Sequence, residues 1–296
     1  MRFSTLESHR TASDPNHAMN PYEFITWSPA GVKKVIDSGG NSWIGLVDEN
    51  TVLKYPLVPA DEEDLFEPRG HAYLQQIREE AVKGLEVEEQ ILRHLGQHPR
   101  IVGLVGKNDD GLLLEYMTNG SIESYLRTNA ARTPFSQKLK WAWQAAEGLV
   151  HLHNKGVLHC DISLGNLLLD NNLEVKMCDF QGRLLDDKGF VKLDGESCGG
   201  SLSSMPRPDA NVFNETTDFF ALGTTIYVLM SGQLPFPDLD PVVEDEEVER
   251  RFRECEFPPL ETLPAGSVVR KCWVGDYSTA SEIVKDLRCL ADQNLD

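Results

Sequence analysis

Hydrophobic and polar positions split the chain into an alternating first third and a helical remainder. Between Val35 and Tyr55, short β-type runs, clearest at residues 43–47 and 51–54, are interrupted by Gly39-Gly40 and by Asp48-Glu49-Asn50. This pattern predicts antiparallel strands. The Pro- and acid-rich residues 55–69 predict a loop. From 71 to 95, Leu74, Ile77, Ala81, Leu85, Ile91, Leu92 and Leu95 recur at helical spacing with charges between them, which predicts one long amphipathic helix. Residues 101–104 and 112–116 read as two further strands. Beyond Asn119-Gly120 the period changes, and helices are predicted over 121–128, 136–154, 217–231 and 278–293. Residues 1–25, a mixture of Ser, Thr, His, Asn and Pro without periodicity, predict a flexible leader. The layout is α+β and two-lobed: a small antiparallel-sheet lobe with one long helix over 26–117, and a larger helical lobe over 118–296.

Composition is consistent with a folded enzyme-sized unit. The chain has 296 residues, 41% hydrophobic and 25% charged, close to globular averages. A formal net charge of -19 disfavours nucleic acid and anionic membrane as partners, and favours basic ones. Much of the excess lies in two runs, 61–64 and 244–247, where a charge run is ordinarily a solvated face or loop. The six cysteines are scattered, without Cys-x-x-Cys or zinc spacing, and read as reduced thiols. Residues 1–20 lack an apolar stretch of signal-peptide length, and the apolar stretch 219–230 is too short to span a bilayer. A cytoplasmic chain is expected, with the nucleus open to it.

The chemistry concentrates at Val157-Leu158-His159-Cys160-Asp161-Ile162-Ser163-Leu164-Gly165-Asn166. An Asp with an Asn five residues later is commonplace alone, and its surroundings give it weight. Val175-Lys176-Met177-Cys178-Asp179-Phe180 follows it. Val52-Leu53-Lys54, Glu88-Glu89-Gln90-Ile91-Leu92 and Leu114-Glu115-Tyr116-Met117 precede it, and Asp218-Phe219-Phe220-Ala221-Leu222-Gly223 closes the series. In this order the segments resemble the eukaryotic protein kinase family over about residues 32–292. In motif style the chain is similar to the tyrosine-kinase-like group and to fungal kinase-like proteins.

The resemblance implies a transferase that uses ATP and Mg2+ and carries the γ-phosphate to a protein hydroxyl, with serine or threonine favoured over tyrosine. It assigns catalysis to Asp161, Lys54 and Glu88: Asp161 orients the attacking hydroxyl, while Lys54, paired with Glu88, bridges the α- and β-phosphates. Asp179 and Asn166 become the metal ligands. Nucleotide contacts fall to Gly39, Ser42, Ile44, Val52, Lys54, Leu114, Glu115, Met117 and Leu168. Glu115 and Met117 read the adenine edge, Leu114 stands behind it, and Val52 and Leu168 sandwich the ring.

Five departures qualify the match. Only Gly39 of the glycine-rich loop stays firmly in register, with Ser42 at the third glycine, so weaker nucleotide binding is expected. Cys160 replaces the arginine that receives an activation-segment phosphate. Ser163 stands where serine/threonine kinases carry a lysine, which predicts a slower enzyme. Asp179-Phe180-Gln181 lacks the usual glycine, and Gly182 comes one residue late. Met205-Pro206-Arg207 ends in arginine where glutamate is usual, and the arginine normally paired with that glutamate is missing too. An acidic partner for Arg207, with Asp276 the candidate, is therefore expected. The competing reading is a pseudokinase that serves as a scaffold or binding module; the sequence does not reveal whether the charge lost at Ser163 is supplied elsewhere.

Overall fold

The computed structural model describes residues 27–59, 68–197 and 199–293, with side chains from residue 73 onward in the long helix. The leader 1–25 and the acidic run 61–64 lie outside the described residues. Alternation in the first third produces β1 (Lys34–Ser38), β2 (Ser42–Leu46) and β3 (Thr51–Pro56). These join β4 (Leu104–Lys107) and β5 (Leu112–Glu115) in an antiparallel sheet ordered β1-β2-β3-β5-β4. β3 and β5 approach so closely that a Cβ on Gly111 would stand 2.0 Å from the Lys54 carbonyl oxygen. Trp27 ties the chain before the sheet to β3: its indole N–H is shared by the carbonyls of Pro56 (3.1 Å) and Leu57 (2.9 Å), and its own carbonyl accepts from the Tyr55 hydroxyl.

The long helix α1 runs Pro68–Leu95, beginning three residues before the predicted start because proline suits a first helical turn. Residues 101–104 are not the fourth strand, which lies at 104–107. The buried pair Ile101 and Val102 instead attaches this sheet to the lower lobe, through an isolated bridge of Ile101 to Met177 and a bond from the Val102 N–H to the Met177 carbonyl (2.9 Å).

The remainder is helical with short strand pairs. In chain order come α2 (Ile122–Asn129), α3 (Phe135–Asn154), β6 (Val157–Leu158), β7 (Leu167–Leu169), β8 (Val175–Met177), β9 (Arg183–Leu185) and β10 (Val191–Asp194). Then follow α4 (Glu215–Ser231), α5 (Asp245–Arg253), α6 (Gly266–Val274) and α7 (Ala280–Gln293). α4 is apolar nearly all round and is accordingly buried, with a capping box from Asn214 and Thr217 at its start and left-handed Gly232 at its end. α5 was not legible as a helix, since only Val248 and Phe252 are buried among its nine residues. The acidic run 244–247 forms the start of α5, so its carboxylates lie at the end of the helix that favours negative charge.

Candidate active site

Backbone geometry sets the site before any side chain does. β6 leads into a loop in which Cys160 adopts φ +68°, and β8 leads to Asp179 at φ +64°. Non-glycine residues adopt this left-handed conformation only where the surroundings enforce it. At Cys160 the enforcement comes from Asp218 on α4, wholly buried. Its carboxylate accepts the backbone N–H groups of His159 and Cys160 at 2.9 Å each and also bonds His153 Nε2 (2.9 Å). Asp218 thus fixes the loop through charge-assisted bonds to main chain. His159, itself buried, spans from the Asp161 N–H on Nδ1 (3.3 Å) to the Cys178 carbonyl on Nε2 (3.0 Å), joining the two loops.

Across the cleft, β3 and α1 bring Lys54 and Glu88 together, 34 positions apart in sequence. Lys54 Nζ lies 2.7 Å from Glu88 and 2.7 Å from Asp179 Oδ1, while Glu88 also accepts the Phe180 N–H at 3.3 Å. The ion pair expected between Lys54 and Glu88 is therefore formed. Burial works against the Lys54 charge, yet the carboxylates of Asp179 and Glu88 outweigh it and hold the ammonium protonated. Burial likewise opposes the Asp179 carboxylate, and Lys54 reverses the balance, leaving Asp179 below the usual carboxylate range. Asp161 differs. Burial, more than any neighbouring charge, raises it above that range; Asp179 adds to the rise, and His159 and Asn166 oppose it.

Asn166 donates its amide N–H groups to the Asp161 carbonyl (2.8 Å) and to Asp161 Oδ2 (3.0 Å). Its Oδ1 is then the atom suited to a cation, and Asp179 Oδ2 is the carboxylate oxygen not given to Lys54. Among the described residues no group of three or more His, Cys, Asp and Glu forms a metal site of its own. Two oxygen donors suit a magnesium ion that completes its shell with phosphate oxygens and water.

The remaining predicted residues cluster on the upper side. Gly39 lies in the turn between β1 and β2, donating its N–H to the Ser42 carbonyl (2.7 Å), and Ser42 is buried with its hydroxyl on Asn41 Oδ1 (3.1 Å). Ile44 pairs with Lys54 and Val52 with Leu114, so these four side chains come from facing positions of adjacent strands. Val52, Leu114 and Met117 are buried, and Leu168 is half-buried on β7. The Glu115 side chain turns to Lys176 (2.7 Å) and accepts the Gly103 N–H (3.0 Å).

Two readings of the downstream segment change. Arg207 does not meet Asp276, which sits beside Lys271. Its guanidinium is held by the Met205 carbonyl (2.8 Å), by the Ala210 carbonyl and by Ser204 Oγ (3.3 Å), and it stacks on Phe213 at 4.4 Å, with Arg183 on the same ring at 4.0 Å. Among the described residues, carbonyls, the Ser204 hydroxyl and an aromatic face hold the guanidinium. The late glycine, Gly182, is required where it stands: a Cβ there would lie 2.1 Å from the Leu158 carbonyl oxygen and 2.4 Å from that of His159. As for Ser163, Asn166 is the side chain that hydrogen-bonds the Asp161 carboxylate, at 3.0 Å.

Comparison with known proteins agrees with this geometry. The family described as protein tyrosine and serine/threonine kinase matches residues 72–285. Relatives include mitogen-activated protein kinase kinase kinase 1 of Arabidopsis thaliana, 31% identical over 207 residues, covering 66% of this chain and 32% of the relative. Serine/threonine-protein kinase CTR1 of the same plant is 27% identical over 230 residues, 72% of this chain and 28% of the relative. Cell division control protein 7 of Schizosaccharomyces pombe is 30% identical over 201 residues, 65% of this chain and 18% of the relative. The matches thus span about a third or less of these curated relatives' own length. With the predicted motifs assembled on a two-lobed fold and most of the chain matched, this chain belongs to the protein tyrosine and serine/threonine kinase family.

Proposed function

We propose that the chain transfers the γ-phosphate of ATP to a serine or threonine hydroxyl of another protein. The observation that supports this best is Lys54 held between Glu88 and Asp179 at 2.7 Å each, with Asp161 oriented by Asn166 below it. Phosphoryl transfer needs positioning and charge neutralisation more than covalent help. Lys54 offers its third N–H to the α- and β-phosphates. Asp179 Oδ2 and Asn166 Oδ1 would hold magnesium, which when bound would neutralise charge on the phosphates. Asp161 Oδ1 accepts the hydrogen bond and then the proton of the attacking hydroxyl, whose oxygen bonds to the γ-phosphorus as the bond from that phosphorus to the bridging oxygen breaks and ADP leaves. Gly39, Ser42 and Ile44 cover the phosphates through main chain. Val52 and Leu168 sandwich the adenine, with Leu114 behind it and the Glu115 carbonyl and Met117 N–H at its edge. The lobes are assigned to 26–117 and 118–296.

Ser163 in place of a lysine points to slow transfer, lowered about 10- to 100-fold by one missing charge-assisted bond. Charge still favours a basic protein substrate, although Glu247 within the run 244–247 is engaged by Arg250 and Arg251. The experiment is calorimetry with ATP, with and without magnesium. Magnesium-dependent binding in about the micromolar to millimolar range is expected. Heat that is absent at saturating nucleotide would turn the reading to a scaffold.

A further inference from the structure

Gln181 stands where a glycine is usual, and the structure shows where its side chain goes. It is buried, and its amide lies against Gly84 of α1, one helical turn before Glu88. A Cβ built on Gly84 would come within 2.6 Å of Gln181 Oε1 and 3.0 Å of Cδ. Glycine is the poorest ordinary helix former after proline, so one in mid-helix has a packing reason. Behind Gln181 the chain is equally close: a Cβ on Gly195 would lie 2.2 Å from its carbonyl oxygen, which also accepts the Ser197 N–H at 3.1 Å. Beside this contact, Lys83 reaches Glu196 at 2.6 Å, but with side chains 54% and 68% exposed that pair is screened by solvent.

Building on the proposed phosphotransfer, we infer that Gln181 is a positioning residue: a strut wedged between Gly84 and residues 195–197 that sets how far α1 stands from the metal-binding loop and so keeps Glu88 on Lys54. Glu88 bonds both Lys54 and the Phe180 N–H, so a displacement of α1 at Gly84 is carried directly to both contacts. The departure at Gln181 and the glycine at 84 are then two halves of one fit. Neither half makes sense alone. A side chain added at 84 meets the amide, while glycine at 181 leaves a gap that α1 can move into.

The test swaps the halves in the full chain and reads two quantities: kcat per folded molecule at saturating ATP, and hydrogen exchange of the amides at 84–92. Gly84→Leu is expected to lower kcat about 100-fold and accelerate exchange, since a misplacement of about 1 Å can cost that much. Gln181→Gly should lower kcat about tenfold, and the double variant Gly84→Leu/Gln181→Gly should return to within about fivefold of wild type with exchange restored. Gln181→Met, which keeps the volume and loses the amide, should behave as wild type. A residue that only adds stability would shift the thermal midpoint and leave kcat of the folded fraction unchanged. If Gly84→Leu does not fold, Gly84→Ala is read the same way, with the same direction and a smaller size. Were the chain to show no phosphotransfer, the exchange arm alone decides. A double variant no better than Gly84→Leu, or exchange at 84–92 indifferent to residue 84, would overturn the strut.

Discussion

Carboxylate–cation pairs occur here in two settings that look alike in distance and differ in consequence. At the centre, Lys54, Glu88 and Asp179 meet at 2.7 Å with Lys54 8% and Glu88 0% exposed. On α5, Arg250 meets Glu247 and Glu256 at 2.8 Å each, and Arg251 meets Asp238 at 2.8 Å, with these side chains 23–59% exposed. Water and salt screen the second group, so it organises a surface without deciding the fold. In the first, the carboxylates hold Lys54 protonated and Lys54 in turn holds Asp179 ionised. The central group is therefore sensitive to single changes and the outer one tolerant of them.

The sharpest break of this contrast is Glu88→Gln. It leaves Lys54 with one partner in a buried site, and a loss of about 3 kcal/mol of stability by urea titration is expected, with transfer reduced at least tenfold. Next is Ser163→Lys, which supplies the absent cation beside Asp161. Transfer should rise about tenfold with the ATP KM little changed, measured by initial rates. If the rate does not move, the missing charge is not what limits it.

A smaller effect separates the two aspartates by pH. The Asp161 pKa is raised, so its contribution to stability is present below the ordinary 3.8 and is lost as pH rises through the raised value. Asp179 has the opposite sign: its pKa is lowered, and its contribution, present above 3.8, is lost as pH falls through the lowered value. Transfer needs Asp161 ionised, so the acid limb of kcat should fall above 3.8, at the Asp161 value, in a profile from about pH 3 to about pH 8. A limb below 3.8 would assign it to Asp179. The smallest effect is expected on α5, where Arg250→Ala should leave kcat unchanged and move the thermal midpoint only slightly, less still in added salt.

Most of the fold was legible because its periods are strong: strand alternation at 43–54 and helical spacing at 74–95 survive without tertiary help. α5 was not, since burial of two side chains leaves no such pattern, and α6 buries Val268, Val269, Cys272 and Trp273 at helical spacing but over too short a run to stand out. Lys54, Glu88, Asp161, Asn166 and Asp179 were named by motif order, and the structure joins Lys54 to Glu88 and Asp179, and Asn166 to Asp161. Two participants gave no readable signal. Gly84 lies within the predicted helix with no signal of its own, and its contact is visible only once Gln181 is seen against it. Asp218 was read as the start of a buried helix, while its work is on the main chain of residues 159 and 160, 58 and 59 positions away. For Arg207 the candidate Asp276 was not the partner: among the described residues carbonyls and Phe213 hold its guanidinium.

The central claim rests on Asp161, and the most direct measurement compares wild type with Asp161→Asn for transfer of labelled phosphate from ATP with magnesium to a basic protein. Burial disfavours the Asp161 charge, so the neutral asparagine should leave thermal stability undiminished and nucleotide binding intact. The account predicts phosphoserine or phosphothreonine with wild type and none above background with the variant. Equal incorporation by both proteins, or none by either with nucleotide bound, would contradict it.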